Sequence, residues 1–153
     1  MKSKTELKVE ALFQKYKKKF TKQLGAKATY DDDLLRIGKK EFGSKFQGVY
    51  AVNEQFLVKN NKFYIINTDT KSGPGEHWIA VYLTTKNLYF YDSFSRDAKS
   101  IVPKLVKRFQ HRHIIQSDQK DAEQFGSSEI CGVLCLAFLS VVRDIGIKQA
   151  LKI

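Results

Sequence analysis

Hydrophobic positions in the first part of the chain recur with the period of an α-helix. Between residues 4 and 24, apolar side chains return every three or four positions on one face, at Val9, Phe13, Tyr16, Phe20 and Leu24. Ser3 and Glu6 have the spacing of a capping box, and Gly25 stands where a helix C-cap is expected. We therefore predict a helix over residues 4–24, which could dock on the domain, lie at its edge or serve as a nucleic-acid-binding arm.

The following segments predict a second helix and a set of short strands. Residues 31–42 are assigned to the helix, because three aspartates in its first turn and two lysines near its end complement the helix dipole. Apolar runs bounded by turn residues predict strands at residues 62–67, 77–83, 88–92 and 112–116. Residues 46–56 are typical of a partly extended loop or a short strand, and residues 93–110 of a loop and a helix.

The last predicted helix, over residues 131 to about 143, is apolar on every side. A helix of this kind is buried, so we expect it at the centre of the fold, with its end at Gly146. The order of the elements predicts an α+β fold, in which an antiparallel-rich mixed sheet packs against this central helix. The length of 153 residues fits a single domain, with residues 1–28 as a basic N-terminal helical extension.

Positive charge is concentrated in that extension. The chain has a net formal charge of +11, and residues 1–30 hold nine lysines against two glutamates. Such an excess attracts nucleic acid, anionic membranes or acidic proteins, although a solvated surface is the alternative. The apolar stripe of the helix favours core packing over membrane binding. The lysines that form the candidate nucleic-acid-binding set are Lys15, Lys17, Lys18, Lys19 and Lys22.

The composition disfavours several other classes of protein. No apolar run has the length of a membrane span, and the lysine-rich N-terminus lacks the apolar segment of a signal peptide, so we expect an intracellular protein. The two cysteines, Cys131 and Cys135, form no disulfide framework and would make a weak metal site. His111 and His113 alternate as on the polar face of an edge strand. We therefore expect no metal and no other cofactor.

Cys131 is the candidate nucleophile, because it stands where a polar, glycine-bearing loop meets the apolar helix. A helix N-terminus carries the positive end of the dipole and unpaired N–H groups, and both favour the thiolate. The alternative is an inert cysteine buried in a helix, which is a common place for a free thiol.

His77 and Asp92 are the candidate base and its partner. His77 opens one predicted strand after a Gly-Pro-Gly loop, and Asp92 closes the next. If the two strands pair as a hairpin, the carboxylate lies beside the imidazole, where it would hold the tautomer and favour imidazolium. An imidazolium would in turn lower the pKa of the Cys131 thiol. Taken singly, a histidine at a strand start is usually a packing or surface residue, and an aspartate at a strand end a turn former.

Gln124 is the candidate oxyanion donor. It lies seven residues before Cys131, so the intervening loop can turn its amide toward the sulfur. Its NH₂ group and the backbone N–H of Cys131 could form an oxyanion hole, in which each donor is typically worth about 100- to 1000-fold in rate. A loop glutamine on its own is usually just solvated. The assignment of a catalytic site therefore depends on the joint order of four residues, namely His77, Asp92, Gln124 and Cys131.

Four segments in this order resemble the adenovirus maturation proteases, the adenain-like cysteine proteases, and more distantly the SUMO-specific proteases. The resemblance extends over most of the chain from about residue 31. The segments are F-Q-G-V-Y-A-V-N-E-Q-F, I-I-N-T-D-T-K-S-G-P-G-E-H-W, L-Y-F-Y-D-S-F-S and Q-F-G-S-S-E-I-C-G-V-L-C-L-A-F-L. The gap of seven between Gln124 and Cys131 favours the adenain type.

The resemblance implies a papain-like arrangement with His77 as base, Asp92 as its partner, Gln124 as oxyanion donor and Cys131 as nucleophile. It implies hydrolysis of peptide bonds after small residues, in Gly-Gly or Gly-X-Gly contexts, by a monomer found in the host cell and the virion. The substrates would be viral capsid or core precursors. The residues that would contact the substrate are Trp78, Gly75 and Glu76.

Some features depart from that pattern. The adenovirus enzyme is activated by a peptide that is disulfide-linked to a cysteine, and that neighbourhood here holds His113 and no spare cysteine. We therefore expect any activator to be DNA or a non-covalent peptide. Two other functions stay open, namely a protease for ubiquitin-like modifiers and a non-enzymatic basic module that binds nucleic acid.

Overall fold

A single five-stranded sheet forms the middle of the structure. The computed structural model describes residues 2–25, 31–68, 77–116 and 130–153. The strands lie side by side in chain order and are β1 (Phe46–Ala51), β2 (Lys62–Asn67), β3 (Trp78–Leu83), β4 (Asn87–Tyr91) and β5 (His113–Gln116). The pairings of β3 with β2 and with β4 are antiparallel, and the outer pairings, β1 with β2 and β4 with β5, are parallel.

Six α-helices accompany the sheet in the described ranges. They are α1 (Lys4–Leu24), α2 (Asp31–Phe42), α3 (Ala98–Ile101), α4 (Pro103–Arg108), α5 (Cys131–Ile145) and α6 (Ile147–Ala150), with a short 3-10 turn at Gly43–Lys45. None of the helices in this part of the chain is long and apolar enough to cross a membrane.

Both faces of the sheet are covered, because successive residues of a strand point to opposite sides. Phe63 and Ile65 of β2 join a core with α1, α2, α5 and α6, whereas Tyr64 and Ile66 join a second core with α3 and α4. Every residue of α5 from 131 to 142 is buried, since α5 packs on β3, α1, α2 and α6. The predicted α+β fold with a central helix is therefore confirmed.

The predicted mixed sheet is confirmed, but it lacks the expected antiparallel majority, because two of its four pairings are antiparallel and two are parallel. α3 and α4 lie between β4 and β5, and a helical crossover returns the chain to the end from which the previous strand began. The helix expected within residues 93–110 is divided in two, since Pro103 lacks an N–H group and opens α4 as its first residue. Residues 46–51, left open between loop and strand, form β1.

The predicted ends of α1 agree with the structure. The Ser3 hydroxyl accepts a 3.1 Å hydrogen bond from the backbone N–H of Glu6, and Gly25 ends the helix with a positive φ of 80°. A positive φ favours glycine, because a side chain there meets its own backbone.

Of the three roles considered for α1, docking is the one observed. Val9, Phe13 and Phe20 are buried in the core that includes α5. Tyr16 is hydrogen-bonded to Asp144 at the end of α5, and Arg143 donates a 2.9 Å bond to the Tyr16 hydroxyl. Docking uses the apolar face of α1, so it does not test whether the opposite, lysine-bearing face binds nucleic acid.

Candidate active site

The hairpin of β3 and β4 brings His77 and Asp92 together. Ala80 pairs with Tyr91 across the hairpin, so the start of β3 lies beside the end of β4. His77 immediately precedes β3 and Asp92 immediately follows β4. The ring Nε2 of His77 is hydrogen-bonded to Oδ1 of Asp92, and each of the two residues is only 4% exposed. The side chains that sequence reasoning paired are therefore in direct contact.

The carboxylate of Asp92 is held by four hydrogen bonds. Oδ1 accepts from His77 and from the backbone N–H of Phe94 at 3.1 Å. Oδ2 accepts from the backbone N–H of Arg96 at 3.1 Å and from its Nε at 2.9 Å. Burial by itself raises the pKa of Asp92, but the bonds from His77 and Arg96 outweigh it and lower the pKa to about 2. Asp92 is therefore a carboxylate at neutral pH.

The other ring nitrogen of His77, Nδ1, is buried and has no hydrogen-bond partner among the described residues. The imidazole lies against the ring of Phe94, with 5.0 Å between centroids, and the His77 carbonyl accepts a 2.8 Å bond from the Thr68 N–H. The ring is therefore held by Nε2 and by packing.

Cys131 begins α5 beside the same strand start. Its Sγ accepts a 3.2 Å hydrogen bond from the backbone N–H of Trp78, the residue that follows His77. The backbone N–H groups of Gly132 and of Cys131 itself act on the pKa of this thiol in the lowering direction. The predicted position of this thiol, at a helix N-terminus and next to the His77 segment, is therefore the one found.

The direction of the thiol's pKa differs from the expected one. Cys131 is 3% exposed, and this burial raises the pKa of its thiol to about 11. The three backbone N–H groups act in the lowering direction but do not compensate, and the charge of Asp92 acts in the raising direction. A thiolate buried away from water is costly, so in this arrangement the sulfur carries its proton at neutral pH.

Cys135 lies one helical turn beyond Cys131 and is fully buried. Burial raises the pKa of this thiol well above its ordinary value. Both thiols are free, and Cys135 belongs to the apolar core of the domain.

Other predicted site residues fall partly outside the described chain. Gln124, Gly75 and Glu76 lie outside the described residues, so their assigned roles stay predictions. Trp78 is half-buried as the first residue of β3, with its backbone N–H on the Cys131 sulfur.

Sequence reasoning missed two residues of the site, Phe94 and Arg96. Both lie in the turn after β4, where the Ser95 N–H bonds to the Asp92 carbonyl and Ser95 has a positive φ of 56°. The available signal was a cation four residues after a strand-end carboxylate, with only small residues and one aromatic between them.

The lysines of α1 do not all share one surface. Four of them line a shallow groove with Ala11 and Gln14, namely Lys15, Lys18, Lys19 and Lys22. Lys17 is not among the residues of that groove. Lys19 is also paired with Glu41 of α2 at 2.9 Å, so part of its charge is already neutralised.

In the ranges that the structure describes, no three His, Cys, Asp or Glu side chains gather closely enough to hold a metal ion. Comparison of the chain with protein-family models and with curated proteins finds no match.

Proposed function

We propose that this chain is a cysteine endopeptidase of the adenain type that cleaves after small residues, with Cys131 as nucleophile. The observation that carries the proposal is the buried His77–Asp92 pair next to a helix-terminal thiol that accepts a hydrogen bond from the Trp78 N–H. Nδ1 of His77 has no hydrogen-bond partner among the residues that the structure describes. A thiol at a helix N-terminus, close to an imidazole at the end of the central strand, supports a reaction in which the imidazole takes the thiol proton.

The proposed reaction begins with a thiol rather than a resting thiolate. As the sulfur attacks the peptide carbonyl, Nδ1 of His77 takes the thiol proton, and Asp92 stabilises the imidazolium that forms. Collapse of the tetrahedral species breaks the C–N bond, and His77 gives the proton to the leaving amine. Water then attacks the thioester with His77 as base, which releases the acid and restores the thiol.

The oxyanion of each tetrahedral species needs N–H donors. The backbone N–H of Cys131, at the start of α5, is one proposed donor, and the side-chain amide of Gln124 is the other. Trp78, Gly75 and Glu76 are the proposed substrate contacts, and narrowing of the cleft by Trp78 would restrict the residue before the scissile bond to a small one.

We take the substrates to be viral capsid or core precursors with Gly-Gly or Gly-X-Gly sites, cut by a monomer in the host cell and the virion. This choice depends on the four segments that resemble adenain-like proteases. The runner-up is a protease for ubiquitin-like modifiers, since these also end in Gly-Gly. Modifier probes with a C-terminal vinyl electrophile distinguish the two, because rapid labelling of Cys131 by such a probe favours the runner-up.

The second proposed function is binding of nucleic acid by α1, with DNA as partner and stimulator. It is supported by the groove of Lys15, Lys18, Lys19 and Lys22 and by the net charge of +11. Because the apolar face of α1 is already buried, the lysine face can bind a polyanion without undocking the helix.

Cleavage of Gly-Gly and Gly-X-Gly peptides by three chains tests the enzyme proposal. Wild type and Cys135→Ala should release product, and Cys131→Ala should not. Cys135→Ala is the matched control, because it removes a thiol from the same helix one turn away. Equal turnover by wild type and Cys131→Ala would remove the proposal and leave the non-enzymatic nucleic-acid-binding module.

A further inference from the structure

The ion pair between Arg96 and Asp92 joins a partly exposed cation to a buried carboxylate. The Asp92 side chain is fully buried, whereas the Arg96 side chain is 44% exposed, and Nε lies 2.9 Å from Oδ2. The guanidinium also lies over the ring of Phe94, 5.0 Å from its centroid, and that ring packs on His77. Arg96 therefore touches both groups that hold the imidazole.

The backbone around Arg96 is fixed from the neighbouring strand. The side-chain amide of Gln116, at the end of β5, donates a 2.8 Å bond to the Arg96 carbonyl and accepts a 3.1 Å bond from the Ala98 N–H. Together with the bond from the Arg96 N–H to Asp92, these contacts fix the main chain on both sides of the arginine. A cation on a fixed backbone is pre-organised for one partner.

We propose that Arg96 is a positioning residue for the reaction at Cys131. It binds Oδ2 of Asp92, leaves Oδ1 to bind His77, and partly neutralises the charge of the carboxylate. The inference rests on the proposed function. A carboxylate whose charge is shared with Arg96 stabilises the imidazolium less strongly than a bare one. Arg96 thereby sets how much negative charge an imidazolium at His77 meets during the reaction.

Few other charges face this pair in the described part of the chain. α5 contributes the thiols of Cys131 and Cys135, and the α1 residue that reaches β4 here is the apolar Phe13. Tyr91, before Asp92, stacks its ring on Phe138. The exposed Asp97 follows Arg96 in the chain. Among the described residues, Arg96 is therefore the guanidinium in direct contact with Asp92, and the His77 ring is the other side-chain partner of this carboxylate.

The test compares the pH dependence of kcat/KM for wild type, Arg96→Gln and Arg96→Lys on a Gly-Gly peptide. Loss of the positive charge in Arg96→Gln should shift the acid limb of the kcat/KM profile, where activity falls as the pH drops, to a higher pH by about half a unit. The shift is small because the cation is partly exposed and solvent screens it. Arg96→Lys should keep the wild-type limb, even if kcat falls through loss of the planar contact. A purely structural role predicts an equal loss at every pH and no shift.

A second readout does not need activity. Without the guanidinium, the pKa of Asp92 rises toward its ordinary value, so Arg96→Gln should unfold in acid at a higher pH than wild type and Arg96→Lys should not. If the wild type cleaves peptide but the acid limb of Arg96→Gln is unmoved, the Arg96 proposal is overturned and the endopeptidase stands. If wild type and Cys131→Ala are equally inactive, the endopeptidase fails, and the acid-unfolding comparison alone decides whether Arg96 holds the carboxylate.

Discussion

Tyr91 and Phe138 stack with 4.6 Å between ring centroids and 10° between planes. Tyr91 precedes Asp92 at the end of β4, and Phe138 lies two turns along α5 from Cys131. The stack therefore joins the strand that supplies the carboxylate to the helix that supplies the thiol. Phe13 of α1 packs edge-on with the same Tyr91 ring, with 6.3 Å between centroids, so α1 also contacts this junction.

Truncation of Phe13 should be costly, because its side chain is 1% exposed. We expect Phe13→Ala to lower the free energy of unfolding by about 3–5 kcal/mol, the usual cost of deleting a buried phenyl ring. Leu7→Ala is the control on the same helix, because Leu7 is 54% exposed and its loss should change stability by less than about 0.5 kcal/mol. Urea titrations that give equal effects would contradict docking of α1.

Acid should destabilise the protein partly through Asp92. The pKa of this carboxyl is lowered to about 2 in the folded chain, below its unfolded value of about 3.9. The stabilisation is therefore complete above about pH 4 and is lost as pH falls toward 2, by an amount on the order of 2 kcal/mol. In denaturant titrations, Asp92→Asn should flatten this part of the pH dependence, and Asp97→Asn, at an exposed position, should leave it unchanged.

The reactivity of the Cys131 thiol in the free protein should follow its raised pKa. In a Cys135→Ala background, the rate of alkylation by iodoacetamide should keep increasing up to about pH 11. Glutathione, measured in parallel, serves as the exposed thiol. A rate that is already level below pH 7 would mean that the resting site holds a thiolate paired with imidazolium.

Charge reversal on α1 should weaken binding to duplex DNA. Lys15→Glu with Lys18→Glu removes two groove lysines, so the salt dependence of the binding constant should lose about two phosphate contacts. The control is Lys99→Glu with Lys104→Glu, which makes the same change of charge at exposed positions on α3 and α4. Equal loss in both double variants would indicate a response to net charge alone.

The sequence predicted the parts of this site that depend on local pattern. His77 and Asp92 stand at the ends of strands that pair as a hairpin, and Cys131 stands at a helix start, so periodicity and turn residues were enough to place them. The expected lowering of the Cys131 pKa was wrong, because the direction of this shift depends on how completely other elements bury the sulfur. The contact between Arg96 and Asp92 and the parallel pairing of β4 with β5 were missed, since both arise from the path of residues 93–112 over the sheet.

The central claim is that the His77 imidazole serves the Cys131 thiol. The most direct measurement is the rate at which a Gly-Gly peptide with a C-terminal electrophile forms an adduct, located by mass spectrometry of the intact chain and its peptides. We predict a single adduct on Cys131 in the wild type, a rate about 100-fold or more lower in His77→Ala, and an unchanged rate in His113→Ala. Equal rates in wild type and His77→Ala would contradict the account.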